Sequence, residues 1–440
     1  MCKMKDDGSL KQEPRLRRGY TTGTCSAAAA KAAAAMLFSG EEVREVQLTV
    51  PAGETLCLEI VDVAAGPDCV RCAVVKDAGD DPDVTGGMKV YAAVRRIPGG
   101  ECAADGGEIT SGSEGVVIDG GEGVGRVTKP GLDQPPGSAA INSVPRSMIR
   151  QAVEEEKQRF GESSGIEVVI SIPGGEEIAK RTLNPALGIE GGLSVLGTSG
   201  IVEPMSEKAL IDTIAVTIRQ RLALGDRVLI MAPGNYGLAF LREKYGVPEE
   251  RVVKISNYVG ESLDIVVRES GGQYNNSPRK MEQVPVVLHA GHKGEAGESG
   301  GIVGRPRFYN SSEKMEQVPV VLLVGHIGKL VKVAGGIMNT HSAVADRRME
   351  ILAEHAQRCG AGAEVVREIG ECVTTEAALD VLDQAGILAP VTESVVNSIQ
   401  EQIDRRTGGA LQAEVIMFSS VRGELAQTAG AKALLQRGAD

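Results

Sequence analysis

Apolar and polar positions along this 440-residue chain fall into short blocks divided by glycine-rich turns. The first block, 27–35, is alanine broken only by Lys31 and predicts a helix, since alanine has the highest helix propensity. Thr24 or Ser26 stands where an N-cap hydroxyl would accept a free first-turn N–H. Residues 43–50 alternate like a strand, 56–63 read as its hairpin partner, and short strands are expected at 72–75 and 116–119. A helix follows at 145–160, with the polar run 154–157 facing water, and a buried strand begins near Glu167.

From Leu193 onward the pattern becomes rhythmic. Strands at 193–196, 227–231, 251–255 and 318–324 alternate with helices at 206–223, 238–245 and 259–268. Such alternation predicts a parallel sheet with ligands at the carboxyl ends of its strands. The tail reads as helices at 341–358, 362–369, 374–385 and 391–404, Pro390 parting the last two, and a short strand at 413–419. The expected fold class is therefore α/β and α+β. A disordered N-terminus (1–15) precedes an N-terminal α+β domain (16–165), and a Rossmann-like doubly wound parallel-sheet domain (166–440) with a helical C-terminal part follows.

A duplication interrupts the second domain: KMEQVPVVL occurs at 280–288 and again at 314–322. Two copies of one strand cannot fill one sheet position. The second copy runs on into GHIGKLVKVAGG, whereas the first ends in a glycine-rich run that is costly to order, so 271–312 reads as an insertion. Excision of 280–313 is therefore expected to leave a folded, active protein that melts at the same temperature or higher. Loop closure changes by only about 0.6 kcal/mol per doubling of length. An insoluble or inactive product would show that the first copy holds the strand.

Composition narrows the function. The chain has no Trp, five Phe and seven Tyr, so its core must be aliphatic, with close backbone approaches at its 56 glycines. A formal charge of −12 and the scarcity of stacking rings exclude non-specific nucleic-acid binding. No apolar run nears the roughly 18–20 residues needed to span a bilayer, and the charged first residues lack a signal-peptide core. Of eight cysteines only Cys69 and Cys72 form a CxxC, which reads as idle thiols and not as a metal site. A soluble cytoplasmic protein without a bound metal is expected; a homo-oligomer is left open.

Four segments carry candidate chemistry. At 17–26, Arg17 and Arg18 precede Thr21, Thr22, Thr24 and Ser26 and a helix N-terminus, which makes either an anion site or an ordinary capped core helix. Residues 76–85, KDAGDDPDVT, lack the ligand frame of a calcium loop; a solvated turn and a functional loop around Lys76 and Asp77 both remain. The glycine-rich hook 120–131 carries Arg126 and Lys129 but not the GxGxxG fingerprint. His326 and His341 are acid/base candidates or satisfied polar groups, and His355 lies mid-helix as a structural residue. HExxH and P-loop motifs are absent from the sequence.

Several of these segments resemble one family in order. RRGYTTGTCSAAAAKAA (17–33), KDAGDDPDVT (76–85), GEGVGRVTKPGL (121–132), AINSVPRSMI (140–149), most of 173–210 and VLLVGHIGKLVKVAGGIMNTHSAVAD (321–346) are similar to motifs of the CbiD family, the cobalt-precorrin-5B C1-methyltransferases of anaerobic corrin synthesis. The resemblance implies methyl transfer from S-adenosyl-L-methionine to C1 of cobalt-precorrin-5B, a cobalt-containing anionic tetrapyrrole, giving cobalt-precorrin-6A. It implies catalytic roles for His341, His326 and Asp77, and substrate contacts from Arg18, Thr21, Thr22, Thr24, Lys76, Arg126, Lys129 and Lys180. Donor contacts fall to Gly197, Thr198, Ser199, Gly200, Gly325 and Lys329, while Asn257 stands where a ribose-binding carboxylate is usual. The rivals are a nicotinamide-dependent reductase of a corrin precursor and a non-catalytic corrinoid carrier.

Overall fold

The computed structural model describes residues 16–97, 115–271 and 320–437. The expected disorder of 1–15 and most of the duplicated insertion lie outside the described residues.

The first core forms around the alanine helix. Strand β1 (Gly19–Tyr20) leads into α1 (Thr22–Ser39), and β2 (Glu45–Thr49) and β3 (Thr55–Glu59) form the expected hairpin. Then come β4 (Val61–Ala65), β5 (Cys69–Val75), β6 (Lys89–Ile97), β7 (Val116–Gly120), β8 (Arg126–Val127), α2 (Ser143–Phe160) and β9 (Gly165–Ser171). Short α3 (Gly175–Ala179), β10 (Ile189–Glu190) and β11 (Ile201–Val202) close the unit. Five strands make a mixed sheet in the order β4-β5-β6-β9-β7, parallel only between β7 and β9. Only Lys31, Phe38 and Ser39 of α1 are not buried, as befits a helix apolar on every side. Its small side chains let β5 approach so closely that Cys72 Sγ donates to the Ala29 carbonyl at 3.2 Å. Cys69 and Cys72 stand three residues apart on that strand, on opposite faces, and so cannot share an ion.

The second core begins with α4 (Glu207–Ala223), β12 (Val228–Ala232), α5 (Asn235–Tyr245), β13 (Val252–Lys254), α6 (Val259–Glu269) and β14 (Val320–His326). It continues with α7 (Ile327–Ala334), α8 (Arg348–Arg358), α9 (Ala363–Glu371), α10 (Thr375–Gln384) and α11 (Leu388–Thr407). Strands β15 (Gln412–Ser419) and β16 (Gly423–Gln427) and helix α12 (Ala431–Arg437) end it. Its sheet runs β13-β12-β14-β15-β16, parallel except for the last pair. Alternate strand residues serve two layers, since both faces are covered. Leu229, Met231, Val321 and Leu323 pack with α4, α6, α7, α8 and α11, whereas Ile230, Ala232, Leu322 and Val324 pack with α5 and α12.

Five expectations need correction. The N-cap of α1 is Thr21, whose Oγ1 accepts the Thr24 N–H at 3.2 Å; Thr24 and Ser26 lie inside the helix. Residues 193–196 are not the first strand of the parallel sheet: Leu193 and Val195 bridge Val124 and Ile141 and are buried in the first core. Strand β9 lies between β6 and β7, so the first core does not end near residue 166; it extends to Ile201, and the second starts at Ile214. On α2, Glu156 and Lys157 are buried and do not face water. Pro390 falls in the first turn of α11, where its missing N–H costs nothing, so it opens that helix and does not merely separate it from α10.

Candidate functional site

The chain passes from β12 to β13 on one side, then returns to place β14 on the other side of β12. At such a switch point the loops leaving adjacent strands diverge and open a crevice at the carboxyl edge. Past β12 the chain runs through Pro233 and Gly234 into α5; Gly234 has φ +102 and is the N-cap residue of α5. Past β13, Ser256 holds a left-handed φ of +51, unusual for a residue with a Cβ. Asn257 and Tyr258 then tie down the 339–341 segment: the Thr340 N–H donates to the Asn257 carbonyl at 2.9 Å, and Tyr258 bridges Asn339.

Lys329 reaches into this edge from the first turn of α7. Its Nζ donates to the Ser256 carbonyl at 3.3 Å and lies 3.3 Å from where a Cβ on Gly234 would sit. A side chain at 234 would therefore crowd the ammonium. Burial lowers the Lys329 pKa, and Lys332 and Lys254 lower it further. Among the described residues it has no carboxylate partner within ion-pair distance.

His326 ends β14 and caps α7, its Nδ1 accepting the Gly328 N–H at 3.1 Å. The lone pair that a general base would use is thereby occupied, and the neutral ring presents Nε2–H. That Nε2 stands 3.7 Å from Glu376 Oε1, a buried oxygen without a hydrogen-bond partner. Burial lowers the His326 pKa against the raising effect of Glu376, so the ring is neutral near pH 7. His341 repeats the arrangement on the exposed strap, its Nδ1 accepting the Ala343 N–H at 3.1 Å. In each imidazole Nδ1 is occupied by a backbone N–H, which leaves Nε2 as the atom facing outward for any proton donation. His326→Ala should cost about 1 kcal/mol through loss of the cap, and His326→Asn much less. Equal urea midpoints for the two variants would contradict the capping role.

The edge also gathers rings. The Tyr236 ring lies 6.0 Å from His326, His326 meets Phe418 edge-on at 5.6 Å, and Phe418 stacks on Phe240 at 4.1 Å. Sequence reasoning missed Tyr236 and Glu376. The available signal for Tyr236 was a rare aromatic set directly after Pro233-Gly234-Asn235 at a strand end.

The other expected site residues are gathered elsewhere. The hydroxyls of Thr22 and Thr24 are buried and committed to loop 196–200, and that of Ser26 donates to the Thr22 carbonyl. The Gly23 N–H donates to the Leu196 carbonyl, Thr22 Oγ1 accepts the Leu196 N–H, and Thr24 Oγ1 donates to the Gly200 carbonyl. That helix end is closed by protein and is not an open anion site. The same packing accounts for Gly197, Ser199 and Gly200, while Thr198 is exposed: a Cβ on Gly197 would strike Thr21, one on Gly200 would lie 2.6 Å from Val50 Cβ, and the Ser199 carbonyl receives the Ala52 N–H. They fasten the first core, away from the parallel sheet. Gly325 likewise makes room for protein, since a Cβ there would lie 2.9 Å from Leu330 Cγ.

Most expected cations carry carboxylates already. Arg17 pairs with Asp77, Arg18 with Glu54, Lys76 with Asp83, Arg126 with Asp119 and Lys180 with Glu177. Asp77 is held below its ordinary pKa first by Arg17 and then by the Gly79 N–H, so it stays a carboxylate. In the hook, Gly123 faces the backbone of 172–175 and Gly125 faces 189–192, so these glycines admit protein and not ligand. Lys129 has no ion-pair partner among the described residues.

Comparison with known proteins gives a consistent result. Residues 9–204 match the CbiD family model and 339–429 the model described as CbiD, C-terminal domain. A Ruminiclostridium cellulolyticum protein named cobalt-precorrin-5B C(1)-methyltransferase is 40% identical over 94% of this chain and 92% of its own length. One of the same name from Moorella thermoacetica is 42% identical over 84% and 83%. The crystal structure of the cobalamin biosynthesis protein (cbiD) from Archaeoglobus fulgidus shares 30% identity and covers 57% of this chain and 73% of that one, at a TM-score of 0.33.

Proposed function

Since the chain belongs to the CbiD family, we propose that it performs the reaction for which those relatives are named. It is a C-methyltransferase of cobalamin biosynthesis and methylates C1 of cobalt-precorrin-5B with S-adenosylmethionine as donor. The observation that carries this is identity of about two residues in five along nearly the whole length of both chains.

We read the parallel sheet as Rossmann-like, on the strength of its switch point between β12 and β14 and its helices on both faces. Two domains meeting between β11 and α4 fit the two cores, and the first family model ends at residue 204. We assign the donor to the carboxyl edge around Gly234, His326 and Lys329, because the 197–200 loop is filled by Thr21, Thr24 and Val50. A cytoplasmic setting suits such a biosynthetic enzyme; no helix among the described residues is long and apolar enough to cross a membrane.

The donor brings its own activation, a sulfonium whose sulfur leaves neutral as the methyl departs. What the protein must supply is mainly placement, and good orientation provides up to about 7–11 kcal/mol of barrier reduction. The Nε2–H groups of His326 and His341 and the Lys329 ammonium are donors and cations suited to carboxylates and ring nitrogens. Of the hook cations, Lys129 is assigned to a tetrapyrrole carboxylate. Lys129→Ala should raise KM for the tetrapyrrole about tenfold or more with kcat little changed. Arg126→Ala, which breaks a half-exposed pair with Asp119, should change KM much less. Equal effects of the two substitutions would refute that assignment.

The reaction is tested by mass spectrometry of cobalt-precorrin-5B incubated with enzyme and donor. A gain of one methyl per tetrapyrrole is expected. Gain of two hydrogens in the presence of a nicotinamide would indicate a reductase, and tight binding without mass change a carrier.

A further inference from the structure

The ring of Tyr236 is 72% exposed at the start of α5, and Phe160 at 39% is the other exposed aromatic among the described residues. A single exposed ring is ordinary on a protein surface, so what matters is where this one stands. Its position is specific. It stands at the switch point of the parallel sheet, beside the donor Nε2–H of His326, and the rings of His326, Phe418 and Phe240 back it in sequence. On the same loop, Gly234 leaves the space that the Lys329 ammonium occupies. An exposed flat ring and a half-buried ammonium without a carboxylate partner among the described residues thus stand past the carboxyl ends of the adjacent strands β12 and β14. The complementary ligand is a flat heterocycle joined to a carboxylate.

We propose that Tyr236 is the stacking face for the adenine of the methyl donor and that Lys329 holds the donor's carboxylate. The inference rests on the methyltransferase reading and adds to it a binding residue and a division of labour. Stacking tolerates the tilt and slide of a mobile ligand, and Tyr presents its face at little entropic cost. The ammonium, already drawn down by burial and by neighbouring lysines, gains from a counter-charge more than an exposed lysine would.

The test uses the absence of tryptophan from the chain. Tyr236→Trp installs a single reporter in the full-length protein. S-adenosylhomocysteine should quench its emission in a saturable titration whose midpoint matches calorimetry on the wild type. Tyr236→Ala should weaken S-adenosylhomocysteine about tenfold, the effect of removing one base-stacking ring, without shifting thermal unfolding. Lys329→Met should weaken S-adenosylhomocysteine about tenfold yet leave 5′-methylthioadenosine, which lacks the carboxylate, unchanged.

Wild-type binding with no response at position 236 and normal affinity of Tyr236→Ala would overturn this inference while leaving the methyltransferase reading intact. Absence of any donor binding or methyl transfer by the wild type would overturn the reading itself. A Lys329→Met effect on the tetrapyrrole alone would move the carboxylate from donor to substrate and contradict the proposal. Emission that shifts with protein concentration in the absence of ligand would show the ring covered by a second copy, also against it.

Discussion

Gly19→Ala is expected to destabilise the protein by about 3 kcal/mol or more, enough to unfold the first core under mild denaturant. A methyl there would enter the backbone of 77–79, 2.6 Å from the Gly79 nitrogen. No side chain can move aside, because the obstacle is main chain. The two segments are also laced: the Tyr20 N–H donates to the Asp77 carbonyl at 2.8 Å, and the Asp80 N–H to the Arg17 carbonyl at 2.9 Å. Gly79 reciprocates with φ +66 and a would-be Cβ that meets Arg17. Urea unfolding checks this; a midpoint within error of the wild type would mean that the two motifs are not interlocked.

The second large effect is expected at Lys76. Its side chain is 2% exposed and donates to Asp83, itself 26% exposed. Lys76→Met leaves the carboxylate half-buried without its cation. A loss of about 3 kcal/mol is expected, at the low end of the range for broken buried pairs because water still reaches Asp83. The double variant Lys76→Met/Asp83→Asn should recover part of it, since neither partner then carries an unpaired charge. A single variant as stable as the wild type would remove the pair from any account of this loop. Burial raises the Asp83 pKa, but hydrogen bonds from Lys76 and from the Thr85 side chain and backbone outweigh it, and the net shift is downward. A depressed carboxyl stabilises the fold fully above its unfolded value of about 3.9. That contribution is lost as pH falls from there through the lower folded value. Once the two are matched for stability at neutral pH, acid unfolding of the wild type should therefore lie at higher pH than that of Asp83→Asn, which has no carboxylate to protonate.

The strands of the parallel sheet were legible because both their faces are buried, which writes them as short unbroken apolar runs such as 228–232 and 320–324. The alanine helix was legible for the same reason. What sequence could not reveal is which backbone a glycine approaches. Gly123 and Gly200 look like ligand-cradling glycines, but they meet Ile172 and Val50. Nor could it reveal that Arg17, Arg18, Lys76 and Arg126 are paired, because their partners Asp77, Glu54, Asp83 and Asp119 are set by the folding of the chain and not by helical spacing. The motif at 193–200 kept its strand-like pattern while serving the first core, since short apolar runs do not state which sheet they join. The carboxyl-edge site was half visible: His326 and Lys329 stood out by charge, whereas Tyr236 is identified by its exposure and its place at the switch point.

The methyl donor is assigned to the carboxyl edge of the parallel sheet between β12 and β14. Ultraviolet cross-linking of methyl-labelled S-adenosylmethionine to the full chain, followed by peptide mapping, addresses it most directly. Label is expected on the peptides carrying Tyr236 and His326–Lys329, competed away by S-adenosylhomocysteine. Competable label confined to 196–202 or 120–131 would contradict it.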